Sequence, residues 1–390
     1  MALTGPREGP AVASMAALAR IADELAERWR VVSTAIGAEV IVDGPALLGE
    51  RAAFAGLTRQ GSVSVGGAAR FERASDGWVV LNLPRAGDVA ALPALLGESF
   101  DPGDWVAVRE RLATRSAEEL VAQAGLLGLA VARPSERKPA TAPTQLLGHG
   151  ANRPALVSDR PLVVDLSSLW AGPLAGSLLA RAGARVIKVE GTDRPDGARQ
   201  GPKGFFDLLN GGKEAVTVDF NDPSDGFLRR LVEAADLVIE GSRPRVMDRL
   251  GIDPQWLAEQ HGTSWLSITG HGRKDDPLRV GFGDDAAVAG GLWWEHDEAV
   301  GFVADAVADP LSGVVAAIAG AEALLADRAQ VVDVALAGVA AWACANMESL
   351  APRDWPDEAM VAAPRVRRSH QAAEPQGASS VTIRREFGVG

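Results

Sequence analysis

Residues 161–190, PLVVDLSSLWAGPLAGSLLARAGARVIKVE, decide the fold class. Leu162-Val163-Val164-Asp165-Leu166 is a short apolar run rich in β-branched residues, the pattern of a buried strand. Gly172-Pro173 then opens a helix running to Ala182, with proline placed where its missing N–H is no loss. Gly183 ends that helix, and Arg185-Val186-Ile187-Lys188-Val189-Glu190 is the next strand. The unit recurs downstream: Ala215–Asp219, Leu237–Glu240 and Trp265–Thr269 read as strands with helical stretches between them. Such alternation predicts an α/β fold built on a mostly parallel sheet with helices on both faces. Ligands on these sheets gather at the carboxyl ends of the strands. The loops that matter are therefore Ser167–Pro173, Gly191–Gly204, Gly241–Pro244 and Gly270–Gly283.

Upstream the pattern changes. Apolar residues at helical spacing predict a first helix from about Val12 to Val32. The stretch 61–67 leads into a strand at Ala69–Arg73, Asp76-Gly77 is a hairpin signal, and Trp78–Leu83 follows as a second strand. Helices fit Asp88–Leu96, Asp104–Thr114 and Ser116–Leu127, the last with Ser116 and Glu119 at capping-box spacing. Residues 1–40 are thus a helical segment and 41–132 a small α+β domain. Pro134, Pro139, Pro143 and Pro154 mark 133–160 as an interdomain linker. Residues 161–350 form the large α/β domain, and 351–390 a C-terminal tail.

Composition narrows function by exclusion. The 390-residue chain has 39 Lys+Arg against 51 Asp+Glu, a net charge of −12, which argues against nucleic acid or an anionic membrane as partner. There is no tyrosine, so no tyrosine-based acid or base is available. The single cysteine, Cys344, rules out an intrachain disulfide and a multi-cysteine metal site. His149, His261, His271, His296 and His370 do not pair at metal-ligand spacing, so no metal is expected. His149 in the linker and His370 in the tail are expected to be solvated. The N-terminus is punctuated by Gly and Pro and lacks the apolar core of a signal peptide. The most apolar stretch, Leu311–Leu325, is shorter than the roughly 20 residues a bilayer requires. A soluble, cytoplasmic protein is expected.

The G-x-G-x-x-G and Walker phosphate motifs and the G-x-S-x-G elbow are absent. Ala308-Asp309-Pro310-Leu311-Ser312-Gly313 is more informative. Asp followed by Pro is a good helix start. The same placement holds a carboxylate ionised beside free N–H groups, where it can attack an acyl carbon. Asp305 lies four residues earlier and competes for that role. Asp284-Asp285 reads as a turn or cap. Arg243, Arg245, Arg249 and Arg279 flank strand ends, where several together could hold a phosphorylated ligand.

Residues 161 to about 345 resemble the family III CoA-transferases, the carnitine CoA-transferase and formyl-CoA transferase group (CaiB/BaiF). The likeness lies in motifs taken in order: Val164-Asp165-Leu166-Ser167 with Ala171-Gly172-Pro173, residues 182–190 (AGARVIKVE), Leu209-Asn210-Gly211-Gly212-Lys213, and Val216-Thr217-Val218-Asp219. Asp236-Leu237-Val238-Ile239-Glu240, Arg243-Pro244, Asp248-Arg249-Leu250-Gly251 and Ile268-Thr269-Gly270-His271-Gly272 complete the series. The resemblance implies a Rossmann-like large domain with a smaller α+β domain, and a reaction between an acyl-CoA and a carboxylic acid. It implies Asp309 as nucleophile, passing through a mixed anhydride and an aspartyl-CoA thioester. It implies CoA contacts at Leu169, Gly172, Arg249 and Arg279, CoA as substrate with no tightly bound cofactor, and a homodimer. Ser64-Val65-Gly66-Gly67 resembles the family's glycine loop over the active site, so Gly66 and Gly67 are expected there. The small domain comes first here, whereas family members place it after the large domain. Met1-Ala2-Leu3-Thr4-Gly5 and the following helix resemble a large-domain remnant, which makes the order that of a circular permutation. Trp170, Gly191 and Gly241 depart from the family pattern. Racemases of the same fold carry a histidine near the positions of Gly281–Asp285, where none stands here; a racemase using His271 or His296 is the first alternative. A non-catalytic CoA-binding protein is the second.

Overall fold

The computed structural model describes every residue except 1, 9–10, 13–15, 98, 153–159, 223, 350–362, 368, 370 and 389–390. Among the described residues three sheets organise it. The first is antiparallel, in the order β1 (Ala69–Ala74), β2 (Gly77–Asn82), β3 (Ala130–Ala132). The large sheet is built from β4 (Gln145–Asn152), β5 (Leu162–Asp165), β6 (Arg185–Gly191), β7 (Glu214–Val218), β8 (Leu237–Glu240) and β9 (Ser264–Thr269), a small hairpin of β10 (Trp293–His296) and β11 (Ala299–Phe302) intervening before its last strand, β12 (Arg328–Ala335). Its order is β4-β12-β9-β8-β5-β6-β7, all parallel except β4.

Side chains alternate across the sheet with period two. Val163, Leu237, Ile239 and Leu266 face one core, with helices Ala171–Arg181 and Ala308–Leu325. Val164, Val238 and Trp265 face the other, with helices Phe227–Glu233 and Pro254–Gln260. Ala308–Leu325 is, among the described residues, the one helix with the length and hydropathy of a membrane span, and most of it is buried in this core.

The first helix spans Ala16–Ile36 and buries Leu18, Ile21, Leu25 and Trp29 in the same core as Ala308–Leu325. The small unit holds its expected elements with local adjustments. The hairpin turn is Ser75-Asp76, because Ala74 pairs with Gly77; Asp76 Oδ1 accepts from the Ala117 N–H at 2.8 Å instead. The helix expected over Asp88–Leu96 is two short ones, Ala86–Ala90 and Leu92–Leu96, since Pro93 cannot donate into a continuous ladder. Ser116 and Glu119 form the expected capping box. The unit docks through a cluster of Phe71, Val80, Val288, Val300 and Phe302, with the Phe71 and Phe302 rings 4.7 Å apart.

Two segments differ from their expected roles. The stretch 133–160 is more than a linker: β4 lies within it and forms the antiparallel edge of the large sheet. Its glycines disguised it, and Gly150 serves close packing. A Cβ there would come within 2.0 Å of the Ala258 carbonyl oxygen, on the crossing helix. His149 belongs to this strand and is exposed, as expected. The stretch 351–390 is more than a tail. Helix Ser380–Glu386 buries Ile383 in the second core, and the Ser379 N–H donates to the Ala215 carbonyl on edge strand β7 at 2.9 Å. His370 lies outside the described residues.

Trp29→Ala is expected to lower unfolding free energy by about 3–5 kcal/mol, the cost of truncating a buried aromatic. A denaturant melt of the whole chain should show it as a shifted midpoint with unchanged slope; an unshifted midpoint would mean the first helix is not part of this core.

Candidate active site

The cleft of about 210 Å³ at the carboxyl ends of the strands is lined by three of the four expected loops. Ser167, Ser168, Leu169, Ala171 and Gly172 come from the first, Gly241, Ser242 and Arg243 from the third, and Gly270, Arg279, Gly281 and Phe282 from the fourth. Arg85 joins them from the small unit, and Asp309 is also on the lining. The second loop acts from behind: Asp196 Oδ1 accepts from the Leu169 N–H at 3.0 Å and Asp196 Oδ2 pairs with Lys188 at 2.9 Å. Leu169 is held at φ 72°, a conformation that costs a non-glycine residue strain, with its side chain partly exposed. A Cβ on Gly172 would stand 2.1 Å from Ser167 Oγ, so glycine lets the loop fold back on the helix start.

Beneath the cleft runs a buried charge network. Lys188 Nζ donates to the Ser167 carbonyl at 3.0 Å. Lys213 Nζ donates to Asp165 Oδ2 and the Pro173 carbonyl, both at 2.8 Å, and to Asn210 Oδ1 at 3.0 Å. Burial pushes Lys213 down to about 8 against the attraction of Asp165. These bonds hold the strand end, the loop and the first helical turn in one frame.

Asp309 stands in the first turn of Ala308–Leu325, which starts slightly before the Asp-Pro signal; the Asp309 N–H donates to the Ala306 carbonyl at 2.8 Å. A Cβ on Gly283 would lie 2.4 Å from Asp309 Oδ2, so only glycine admits the carboxylate there. Burial pushes Asp309 up to about 7; Arg51 opposes the rise, and Asp284, Asp285 and Asp305 add to it. Asp284, pushed up to about 6 by burial, accepts from the Ala306 N–H at 3.0 Å. Asp285, pushed up to about 7 by burial, accepts from Asn82 Nδ2 at 2.7 Å and from the Phe282 N–H at 2.9 Å, so it is also the cap that its position suggested. Asp305 is fully buried and paired with Arg51, while Asp309 faces the cleft.

The cations are rearranged relative to expectation. Arg249 is exposed and does not line the cleft. It ends the short helix Pro244–Arg249, whose other end is at the cleft, and about 9 Å of helix separates the two. Arg243, capping that helix, is the residue that reaches the lining. Burial lowers its pKa, and Arg245, Arg85 and Arg194 lower it further, a concentration of positive charge suited to an anion. Arg279 lines the cleft but is tied to Glu136 and to the Val131 carbonyl. Gly66 and Gly67 do not line this cleft. Gly67 turns the chain at φ 79°, and a Cβ on Gly66 would stand 3.0 Å from Arg51 Nη2. Trp170 is buried, edge-on to Phe205 with ring centres 5.0 Å apart, and the Gly191 carbonyl accepts from Gln376 Nε2 at 2.8 Å. His271 is buried and held neutral by burial and by Arg279 and Arg137, and it is not part of the lining. His296 is exposed.

Arg51, Asn82 and Arg85 are the site residues that sequence reasoning missed. None lies in a motif, and Arg51 is 254 residues from its partner Asp305.

Residues 161–376 match the model of CoA-transferase family III. The chain belongs to that family. It is 30% identical over 220 residues to a succinyl-CoA–D-citramalate CoA-transferase of Chloroflexus aurantiacus, covering 52% of this chain and 54% of that protein. It is 35% identical over 100 residues to human alpha-methylacyl-CoA racemase, covering 25% of this chain and 24% of the racemase. A crystal structure of a CaiB/BaiF family protein from Brucella suis matches 50% of this chain and 58% of its own at 30% identity, with a TM-score of 0.45. The chain thus aligns with about half or less of the length of these curated relatives.

Because Asp309 binds its proton more tightly in the fold (about 7) than unfolded (3.8), its contribution to stability is lost as pH rises between those values. Asp309→Asn should therefore melt at higher temperature than the parent at pH 8, with the gain shrinking towards pH 4. Thermal melts at several pH values check this; an Asn variant no more stable at pH 8 would contradict it.

Proposed function

We propose that the protein moves CoA from an acyl-CoA to a free carboxylic acid, with Asp309 as the attacking group. The observation that carries this is the Asp309 carboxylate on the wall of the strand-end cleft, at a helix N-terminus and against a residue with no side chain. In this scheme a carboxylate oxygen of Asp309 attacks the thioester carbonyl and the CoA thiolate leaves, forming a mixed anhydride. The thiolate then attacks the aspartyl carbonyl, releasing the first acid and leaving an aspartyl-CoA thioester. The acceptor carboxylate attacks that thioester and expels the CoA thiolate, forming a second mixed anhydride. The thiolate then attacks the acceptor's carbonyl, giving the new acyl-CoA and freeing the Asp309 carboxylate. The raised pKa makes Asp309 a more basic, hence stronger, oxygen nucleophile than an ordinary carboxylate. Arg85 and Arg243, which line the cleft, would meet the anionic nucleotide end of CoA. The Ser64–Gly67 turn packs on Arg51 rather than on the cleft, so its part in this scheme is to support Arg51. A homodimer in solution belongs to the same proposal and is read by light scattering.

The transferase reading is preferred to racemisation because neither His271 nor His296 lines the cleft. Solvent deuterium entering the α-carbon of an acyl-CoA without CoA exchange would reverse that preference.

Asp309→Asn should reduce exchange between acyl-CoA and labelled acid by at least ~10³-fold, and hydroxylamine or borohydride trapping in the parent should mark Asp309 by mass spectrometry. Full exchange in the variant would sink the assignment. Arg243→Ala should raise KM for acyl-CoA about tenfold and leave KM for the matching acyl-pantetheine unchanged; equal effects on both would place the nucleotide elsewhere.

A further inference from the structure

The turn that leads into the Asp309 helix is held from outside at each of its residues. Ala304 and Ala306 sit at φ 54° and 45°, a left-handed conformation that alanine does not keep unaided. The Ala304 N–H donates to Thr4 Oγ1 at 3.1 Å, and the Ala306 N–H to Asp284 Oδ1 at 3.0 Å. Between them, the buried Asp305 carboxylate takes two bonds from one guanidinium, Arg51 Nε to Oδ2 at 3.0 Å and Arg51 Nη2 to Oδ1. Arg51 in turn lies against Gly66 and over the Trp170 ring, 5.3 Å from its centre. Asp309 hangs from the far side of this turn through its bond to the Ala306 carbonyl.

We propose that Arg51 is a positioning residue for Asp309: its two-pronged bond to Asp305 locks the Ala304–Ala306 turn, and its charge faces the Asp309 carboxylate. The inference rests on the proposed role of Asp309. The charged groups around that carboxylate are Arg51 from helix Glu50–Ala55, Asp284 and Asp285 from helix Gly283–Ala289, and Asp305 from the turn. Arg85, Arg243 and Arg279 line the same cleft. Arg51 lowers the pKa of Asp309 and Asp305 raises it. Breaking one ion pair from its two ends should therefore have opposite consequences, which a packing role does not produce.

The test is a titration of the full chain labelled with 13C at the aspartate carboxyl carbon, with the Asp309 signal assigned by its loss in Asp309→Asn. Arg51→Gln should move the Asp309 midpoint up, and Asp305→Asn should move it down, each by about one pH unit. The acid limb of kcat for CoA exchange should move in the same two directions. Arg51→Lys, which keeps the charge without the fork, should leave the midpoint near the parent while kcat falls about tenfold at unchanged KM. Midpoints that move together in the two variants, or stay where they were, would overturn the proposal. If Arg51→Gln does not fold, the Asp305→Asn and Arg51→Lys predictions decide it. The titration needs no turnover, so an inactive parent would refute the transferase reading without touching this result.

Discussion

One ion pair ties two distant parts of the chain together. Arg51 and Asp305 are separated by 254 residues and meet beside Asp309. A buried ion pair gains little stability outright, because the desolvation of both groups offsets most of the attraction, but removing one partner leaves an uncompensated charge. Here Asp305 is fully buried while the Arg51 side chain keeps some exposure, so the carboxylate depends on the guanidinium more than the reverse. Everything near the cleft inherits that dependence: the left-handed turn, the start of helix Ala308–Leu325, and the placement of Asp309 against Gly283.

Two groups of buried charges divide the labour at the strand ends. Lys188, Lys213, Asp165 and Asp196 are matched in number and hydrogen-bonded to one another and to the backbone, so they act as a frame. Asp284, Asp305 and Asp309 are crowded around Arg51, with Asp285 close behind Asp309, so acid is in surplus. Crowding like charges in a dry place forces some of them to hold protons near neutrality. The frame gives geometry and the surplus gives chemistry, and they share the loop and helix starts around the cleft.

The parallel sheet was legible because strands such as β5 and β8 are almost wholly buried and read as apolar runs, and Leu237–Glu240 has its expected limits to the residue; β12, interrupted by Arg328, Gln330 and Asp333, was not among the expected strands. The cleft was legible because strand ends in such sheets are where loops converge. Asp309 stood out by its Asp-Pro context. β4 escaped notice because its exposed, glycine-bearing stretch answers to the crossing helix rather than to strand propensity. That Arg243 rather than Arg249 lines the cleft follows from a helix direction, which spacing does not encode. Arg51 was beyond reach for a different reason: a lone arginine in a short helix carries no local mark of a partner 254 residues away.

The placement of the first helix sets an order of events during synthesis. The β1–β2–β3 unit finds its hairpin and its core within residues 69–132, soon after they leave the ribosome. Helix Ala16–Ile36 has beside it in sequence only the short segment through the cap of helix Gly44–Leu47, which adds Val40, Val42, Leu47 and Leu48 to the same core. The apolar face carrying Leu18, Ile21, Leu25 and Trp29 is fully covered only when Ala308–Leu325 arrives. At typical elongation rates of about 5–20 residues per second, that wait lasts roughly 15–60 s. For that interval the nascent chain displays a partly uncovered hydrophobic stripe, a natural handle for chaperones, and the site closes only after Ala308–Leu325 has emerged.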